Sequence, residues 1–312
     1  MEIKTSIRRL LFGGGCALFA GVVHTLLSAL SLQPEPRLML DESNNHAILP
    51  RNFRTTRDPL PEQQINLEGL RSLNIAGSGQ FSARELKEAV AKLESRKSIW
   101  LIDLRQECHG FLNGNAISWY AKHNAANFGK SLDAIVKEET SKIQAISKEK
   151  EVLLHTAKPH SHKKDEPQEV EVLSCITEQQ LAQSLGLHYV RLPVTDHLTP
   201  DPATVDRYLT LLKSVPEETW LYFHCRGGDG RTGTFMVMYD MLHNAKKISF
   251  EEIVMRQWHL GGNNLAEIPE KCNWRAFRKE ERFLFLHQFY DFCRQKEPNS
   301  TQSFSDWLKL IK

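Results

Sequence analysis

The stretch FHCRGGDGRTGTF, residues 223–235, decides the fold, because it places a cysteine and three glycines between a predicted strand and a predicted helix. The preceding WLYFH (220–224) is apolar and aromatic, as buried strands are, and TGTFMVMYDMLHNA (232–245) is typical of a helix. In α/β sheets, ligands bind where such a strand ends and the next helix begins. We therefore expect residues 223–235 to form the functional loop of an α/β domain.

Strands and helices alternate on both sides of this loop. The predicted elements are strands at 98–104 and 187–194 and helices at 81–95, 130–151 and 202–215. Ser82 is a candidate N-cap of the first helix. This order predicts an α/β domain in which helices flank a central, mostly parallel sheet. No internal repeat divides the chain, so we expect one domain over 47–312.

The first 31 residues differ from the rest of the chain. Three basic residues precede an apolar stretch over 10–30, which is the pattern of a secretory signal peptide, and small residues near Ser31 offer a cleavage site. A retained membrane anchor is the alternative, because about 20 apolar residues can span a bilayer. We expect a secreted or periplasmic protein, or one anchored to the inner membrane by 10–30. Residues 32–46 are predicted to be a polar linker.

Charge and cysteine content exclude several classes of protein. The chain has 40 Lys and Arg against 38 Asp and Glu, and residues 1–31 hold three of the former and one of the latter, so 37 of each remain. Nucleic-acid-binding proteins normally have a basic excess, so we expect no such partner. Five of the six cysteines lie beyond the leader and form no CxxC pair, so we expect no structural zinc site.

Two chemistries compete for the glycine loop. Gly228 and Gly233 have the spacing of a nucleotide-binding P-loop, but Thr234 occupies the position of the lysine that such a loop needs. A nucleophilic cysteine accounts for more of the residues. Backbone N–H groups of the loop and of the following helix would bind phosphate oxygens and stabilise the Cys225 thiolate.

The other loop residues fit covalent phosphoryl transfer. Arg231 would hold two phosphate oxygens, Thr232 would donate to the departing sulfur, and His224 would order the loop from behind. Cysteine and arginine at this spacing occur again at Cys272 and Arg278, without glycines between them. The glycines, His224 and Thr232 therefore carry the prediction.

An acid for the leaving group is predicted 29 residues before the cysteine. VTDHLTPDP (194–202) follows a strand and presents Asp196 on a loop. Asp196 would protonate the leaving alcohol and then accept a proton from the water that attacks the phosphocysteine. The alternative is that Asp196 only stabilises a turn or caps a helix.

Together these motifs resemble the bacterial protein-tyrosine-phosphatase-like inositol polyphosphate phosphatases, the cysteine phytases, within the cysteine-dependent phosphatase superfamily. The similar segments are ILPRNFRTTRDP (48–59), LNIAGSGQFS (73–82), IDLRQECHGFLNGNAISWYAKHNAANFGKS (102–131), YVRLPVTDHLTPDPATVDRYL (189–209), FHCRGGDGRTGTFMVMYDML (223–242) and MRQWHLGG (255–262). The resemblance implies a tyrosine-phosphatase core with a smaller partial-barrel elaboration. It also implies hydrolysis of inositol hexakisphosphate without a metal or other cofactor.

The resemblance implies roles for individual residues as well. Cys225 is the expected nucleophile, Arg231 the phosphate clamp and Asp196 the general acid. The expected substrate-binding residues are Arg226, Gly227, Gly228, Asp229 and Gly230 in the loop, and His197, Arg54, Asn124, His160, His162, Lys271 and Arg275 outside it.

Three of these residues depart from the family pattern. Asn124 stands where the family has an aspartate. Arg226 replaces an acidic residue and Asp229 a small apolar one, and we expect these two side chains to pair with one another.

Two other functions fit parts of the pattern. A protein-tyrosine phosphatase acting on phosphoproteins shares the chemistry, and a non-catalytic phosphate-binding module would use the same loop. Intact Cys225, Arg231 and Asp196 favour an enzyme. We expect an inositol polyphosphate as substrate, and a membrane as partner only if residues 10–30 are retained.

Overall fold

The loop at 223–235 follows the middle strand of a five-stranded sheet. The computed structural model describes residues 36–60, 65–93, 98–156, 164–267, 273–297 and 300–311. Its strands are β1 (Arg37–Glu42), β2 (Arg54–Thr55), β3 (Ile75–Ser78), β4 (Ile99–Arg105), β5 (His109–Leu112), β6 (Asn115–Tyr120), β7 (Glu151–Leu154), β8 (Gln168–Glu171), β9 (Cys175–Ile176), β10 (His188–Val194) and β11 (Trp220–His224). Its α-helices are α1 (Ala83–Lys92), α2 (Leu132–Ile146), α3 (Glu178–Ser184), α4 (Pro202–Leu212), α5 (Gly230–Asn244), α6 (Phe250–His259), α7 (Trp274–Gln295) and α8 (Phe304–Leu310).

The large sheet brings the ends of several strands to one place. Its order is β10-β4-β11-β3-β2, in which the first four strands are parallel and the edge strand β2 is antiparallel. His224 at the end of β11 pairs with Ser78 at the end of β3 and with Asp103 in β4. The predicted mostly parallel sheet is confirmed, and the strand ends meet just before Cys225.

Aromatic packing fixes the two elements that hold the loop. Phe223 of β11, Phe235 of α5 and Tyr208 of α4 are fully buried. Their ring centroids lie 5.0–6.2 Å apart. Burial of one large apolar side chain stabilises a fold by about 1.5–3 kcal/mol. The end of the strand and the start of the helix are therefore held from within the core.

A second, antiparallel sheet has the order β1-β6-β5-β9, and the hairpin β7-β8 joins its edge strand β1 through a parallel bridge between Met39 and His155. The described strands form no closed barrel, which agrees with the partial barrel that the resemblance implied. Residues 37–42, assigned from the sequence to a linker, form β1, and Arg37 pairs with Tyr120 of β6. The linker prediction is wrong there because Leu38, Met39 and Leu40 provide apolar side chains, of which Met39 is buried.

The predicted helices are present with adjusted ends. α1 begins after Ser82, whose side chain forms a capping box with Glu85. α2 ends at Ile146, earlier than predicted, because the chain turns into strand β7. Among the residues that the structure describes, no helix is long and apolar enough to cross a membrane. The predicted leader over 1–31 lies outside those residues.

Candidate active site

Cys225 follows β11 directly and is 3% exposed. The backbone N–H of Gly228 donates to its Sγ at 3.2 Å, and the Thr232 hydroxyl lies 3.1 Å from the same atom. That hydroxyl also lies 3.2 Å from the carbonyl oxygen of Ser78. Because a hydroxyl has one hydrogen, Thr232 donates to only one of these acceptors at a time. Both groups can donate a hydrogen bond to a sulfur anion, and the role of Cys225 as nucleophile stays a prediction.

Gly228 allows the loop to turn tightly. Its φ is +80°, and a Cβ at this position would lie 2.4 Å from the nitrogen of Gly79 and 2.7 Å from the carbonyl carbon of Ser78. Only glycine fits both the space and the left-handed backbone. The adjacent N–H of Gln80 donates to the carbonyl oxygen of Arg226 at 3.1 Å. The loop is thus held against the end of β3.

Arg231 is held by a carboxylate that the sequence analysis did not name. Its Nη1 and Nη2 donate to the two oxygens of Glu107 at 2.8 and 3.0 Å, and its Nη1 also donates to the carbonyl oxygen of Val194. Arg231 Nε has no hydrogen-bond partner in the part of the chain that the structure describes. The guanidinium is therefore fixed on one edge and leaves Nε for a ligand. Glu107 lies in the RQE stretch within residues 102–131, and its place in this family-like segment was the only sign of its role in the sequence.

Two buried arginines favour the anionic form of Glu107. Its side chain is fully buried, and burial alone would raise its pKa, but the charges of Arg231 and Arg105 hold the pKa well below its usual range. Arg105 Nε donates to Glu107 Oε1 at 2.9 Å. One carboxylate thus orients two guanidinium groups at the bottom of the site.

Asp196 lies beside the phosphate clamp, as an acid for the leaving group must. Its Oδ1 is 3.2 Å from Arg231 Nη2 and accepts the backbone N–H of His197 at 3.0 Å. Its Oδ2 accepts a hydrogen bond from Asn124 Nδ2 at 3.2 Å. The structure thus brings together Asp196, Arg231 and the loop of Cys225.

Asn124 is buried and connects two carboxylates. It lies in the 3₁₀ turn Lys122–Asn124, with a left-handed φ of 60°. Its Nδ2 donates to Glu107 Oε1 at 3.0 Å as well as to Asp196. An aspartate could not donate to either oxygen when ionised. The asparagine therefore has a positioning use in this chain, beside the substrate contact predicted for it.

His224 supports the loop from behind, where a cluster of buried charges surrounds it. Its Nε2 lies 2.5 Å from Glu178 Oε1. His109 Nε2 lies 3.3 Å from Glu178 Oε2 and 3.4 Å from Asp103 Oδ2. Burial disfavours the imidazolium of His109, but the charges of Asp103 and Glu139 and the close contact with Asp103 together outweigh it and raise the pKa of His109 to about 10. Of this cluster, only His224 could be predicted from the sequence.

The same cluster is the one described group whose donor set suits a metal ion. Asp103, His109 and Glu178 each offer a ligand atom within 4.8 Å of the others. The carboxylate of Asp103 already has two other partners within the protein. Arg191 Nε lies 3.2 Å from its Oδ2, and the Tyr189 hydroxyl donates a hydrogen bond to the same oxygen at 2.8 Å. We interpret the cluster as an internal support of the loop.

Arg226 does not pair with Asp229, so that prediction is wrong. Its Nε and Nη2 contact Asp41 Oδ1 of β1 at 2.8 and 2.7 Å, and its guanidinium lies 5.1 Å from the ring centroid of Tyr120. Asp229 Oδ1 instead accepts from Asn52 Nδ2 at 3.1 Å. The turn at Gly228 gives the two side chains different neighbours. Arg226 therefore carries a charge that is already balanced within the protein.

Asp41 completes a row of alternating charges. Its Oδ2 accepts a hydrogen bond from Arg105 Nη2 at 2.8 Å, and its Oδ1 accepts one from Arg226 Nε at 2.8 Å. Burial would raise the pKa of Asp41, but these two arginines hold it well below its usual range. The row consists of Arg226, Asp41, Arg105, Glu107 and Arg231. It joins the second sheet to both arginines of the signature loop, defined as residues 224–232.

Arg54 is a buried cation beside the loop. It is 1% exposed, and its Nη1 donates to the carbonyl oxygens of Asn52 and Gly228 at 2.9 and 3.0 Å. Its Nε and Nη2 have no partner among the described residues. Burial lowers the pKa of Arg54 to about 10, against the charges of Cys225 and Asp229, so it stays a cation at neutral pH. These free donors agree with its predicted contact to substrate.

The rim of the pocket is aromatic and partly exposed. Trp274, at the start of α7, is 42% exposed and lies between His123 and His197, with ring centroids at 4.6 and 4.9 Å. The guanidinium of Arg275 lies 5.8 Å from the Trp274 ring centroid. Burial, helped by nearby cations, lowers the pKa of both histidines, although Asp196 opposes the shift at His197.

The remaining predicted residues divide into two groups. Gly227 and Gly230 lie in the loop, where the carbonyl oxygen of Gly227 accepts from Asn52 at 2.9 Å. His160, His162 and Lys271 lie outside the described residues.

Cysteine-dependent phosphatases use a thiolate, a guanidinium and a carboxylic acid in this relation, and the site belongs to that class of enzyme. The family model of protein-tyrosine-phosphatase-like (PTP-like) phytases, described as "Inositol hexakisphosphate", matches residues 102–243. The PTP-like phytase of Bdellovibrio bacteriovorus is 30% identical with a TM-score of 0.69, over 89% of this chain and 97% of that one. This chain belongs to the family of PTP-like phytases.

Two longer proteins are similar as well. The PTP-like myo-inositol phosphatase of Mitsuokella multacida, solved in complex with myo-inositol-(1,3,4,5)-tetrakisphosphate, is 32% identical with a TM-score of 0.83, over 89% of this chain and 49% of that one. The effector protein hopD2 of Pseudomonas syringae pv. tomato is 29% identical over 265 residues, 83% of this chain and 56% of hopD2. This chain therefore spans about half the length of each.

Proposed function

We propose that this protein hydrolyses the phosphate monoesters of inositol hexakisphosphate and of lower inositol polyphosphates through a phosphocysteine intermediate. The observation that carries the proposal is the position of Arg231, which contacts Asp196 at 3.2 Å and belongs to the same loop as Cys225. An arginine in this position binds a phosphate between a nucleophile and an acid.

In the first step, the Cys225 thiolate attacks phosphorus while the bond from phosphorus to the inositol oxygen breaks. The departing oxygen takes a proton from Asp196. Arg231 Nε and the first N–H groups of α5, which have no acceptor within the helix, stabilise the charge on the other three oxygens.

In the second step, a water molecule attacks the phosphocysteine and gives its proton to Asp196. The bond from phosphorus to sulfur breaks, and the sulfur leaves as a thiolate. The Thr232 hydroxyl, 3.1 Å from Sγ, donates to it. One ester and one water are consumed, one alcohol and one inorganic phosphate are formed, and Cys225 and Asp196 return to their initial states.

A substrate with several phosphates suits the cations around the loop. Arg54 has donors without partners among the described residues, and Arg275 lies at the rim. The inositol tetrakisphosphate bound by the Mitsuokella protein supports the same substrate class here.

Phosphate release from two kinds of ester tests the proposal. We expect the full chain to release phosphate from inositol hexakisphosphate faster than from a phosphotyrosine peptide, and Cys225→Ser to abolish both reactions. Faster turnover of the peptide would assign a protein-tyrosine phosphatase instead. Binding of inositol hexakisphosphate by the unaltered chain without any release would assign a phosphate-binding module.

A further inference from the structure

Arg282 lies at the active site although it belongs to no motif of the sequence analysis. It stands in the middle of α7 and is 7% exposed. Its Nη2 donates to the carbonyl oxygen of His197 at 3.1 Å and to that of Leu198 at 3.4 Å. A side chain of α7 thus holds the backbone of the acid loop, defined as residues 195–199.

The same guanidinium contacts the signature loop. A Cβ at Gly230 would lie 3.1 Å from Arg282 Nη2 and 3.2 Å from Cζ and Nη1. The guanidinium therefore packs closely against Gly230, at the start of α5. It lies between the loop that carries the acid and the loop that carries the nucleophile.

Charge supports this position. Burial lowers the pKa of Arg282, and the negative charges of Cys225 and Asp196 counteract that shift. The cation is thus near both reacting groups. Its Nε has no hydrogen-bond partner among the described residues, so one buried donor remains for a phosphate oxygen or a water.

The acid loop needs such support. His197 has a left-handed φ of 66°. A residue other than glycine in that conformation costs about 1–3 kcal/mol and persists where its surroundings hold it. Within the loop, one backbone hydrogen bond, from Leu198 N–H to Thr195 O at 3.1 Å, closes the turn. Arg282 binds the carbonyl groups on the outer side of this turn.

We propose that Arg282 is a positioning residue that keeps the acid loop closed against the signature loop, so that Asp196 is in place before any substrate binds. The proposal rests on the phosphatase function proposed above, because it gives the loop its purpose. It does not depend on which phosphate ester is the substrate.

Hydrogen exchange tests the closure without any reaction. In Arg282→Met, which removes the donors and keeps a long side chain, we expect faster exchange of the amides of residues 195–199. His197 N–H and Leu198 N–H are the reporters, because both are hydrogen-bonded in the closed loop. The matched control is Arg294→Met, on an exposed position of the same helix, which should exchange like the unaltered chain. Unchanged exchange in Arg282→Met would overturn the proposal.

The leaving group tests the consequence for catalysis. Inositol esters release a poor leaving group that needs the acid, whereas p-nitrophenyl phosphate does not. We expect Arg282→Met to lower kcat on inositol hexakisphosphate about tenfold or more. On the aryl ester, the factor by which kcat falls should be at least about fivefold smaller. Arg282→Lys should restore part of the loss.

A double variant separates positioning from general damage. If Arg282 acts through Asp196, then Arg282→Met should add little to the loss in Asp196→Asn, because residues that act as a unit are not additive. The proposal would be contradicted if the losses in kcat of the two single variants multiplied in the double variant. It would also be contradicted if Arg282→Met lowered kcat equally on both esters. If the unaltered chain hydrolyses neither ester, the proposed function fails, while the exchange measurement still decides the role of Arg282.

Discussion

The two walls of the pocket hold their charges in opposite ways. The inner wall consists of Asp41, Arg105, Glu107, Arg226 and Arg231. Both of its carboxylates are fully buried, and each is shared by two arginines. The outer wall consists of His123, His197, Trp274 and Arg275. Its members contact one another through ring faces and edges, and Trp274 is 42% exposed.

This difference suggests separate roles for the two walls, one in the reaction and one in the choice of substrate. A buried charge that loses its partner is strongly destabilised, so a change in the inner wall should be costly where it leaves a buried charge without its partner. A half-exposed ring has water on one side and can be exchanged at small cost. We therefore expect the inner wall to fix the reacting geometry and the outer wall to influence which ester binds.

The largest expected effect is at Glu107. Glu107→Gln removes the anion between Arg231 and Arg105 and leaves two buried guanidinium groups without it. We expect the free energy of unfolding to fall by about 3–5 kcal/mol, and kcat to fall about 100-fold or more because Arg231 loses its orientation. Urea unfolding and phosphate release measure the two effects, with the exposed Glu149→Gln as control. A stable variant with normal kcat would remove the inner wall from the mechanism.

A smaller effect is expected at the far end of the same row. Asp41→Asn removes a carboxylate that Arg105 and Arg226 share, so we expect the free energy of unfolding to fall by about 3 kcal/mol or more. Arg226→Met leaves Asp41 paired with Arg105, and the loss should be less than half as large. Urea unfolding of the two variants gives the comparison. Equal losses would mean that Arg105 does not depend on Asp41.

The support behind the loop should weaken at high pH. The pKa of His109 is about 10 in the folded chain against an ordinary value of 6.5. Because it is raised, its stabilising contribution is complete below pH 6.5 and is lost as pH rises through 10. Asp103, Glu178, Glu139, Arg105 and Arg191 are the charged groups that face it. The difference in unfolding free energy between the unaltered chain and His109→Gln should therefore shrink from pH 6 to pH 9.5, and a constant difference would contradict the assignment.

The smallest effect is expected on the outer wall. Trp274→Leu should change the free energy of unfolding by about 0.5 kcal/mol or less, because the ring is half exposed. We expect KM for inositol hexakisphosphate to rise roughly twofold to fivefold with kcat almost unchanged, as for a lost binding contact. Trp258→Leu is the matched control, since Trp258 is also 42% exposed and contacts a histidine ring. A large fall in kcat for Trp274→Leu would erase the distinction between the walls.

The parts of the site that local sequence encodes could be predicted. The loop from His224 to Thr232 joins a strand to a helix, and the residue types within it already indicate a thiolate beside a phosphate. Asp196 follows a strand in the same way. Each of these signals lies within about ten residues, so one segment is enough to read it.

The partners that the fold brings from afar could not be predicted. Asp41 and Arg226 are 185 positions apart, and Arg282 and His197 are 85 apart. No periodicity or spacing connects such residues. The prediction that Arg226 pairs with Asp229 was wrong for a related reason. The two residues are close in sequence, but the turn at Gly228 gives their side chains different neighbours. The pairing of β1 with β6, which is irregular between Leu40 and Glu42, brings Asp41 to Arg226.

The Thr232 hydroxyl has two possible acceptors, the sulfur of Cys225 and the carbonyl oxygen of Ser78. In the proposed reaction cycle, its one hydrogen can therefore point in either of two directions. When Cys225 is a thiolate, the hydrogen stabilises the sulfur at 3.1 Å. When the sulfur carries a phosphoryl group and accepts poorly, the hydrogen turns to the Ser78 carbonyl oxygen at 3.2 Å. The change takes a rotation about one bond, the Cβ–Oγ1 bond of Thr232. In the proposed cycle, the same hydroxyl therefore serves both the free thiolate and the covalent intermediate, while the protons of the chemical steps pass through Asp196.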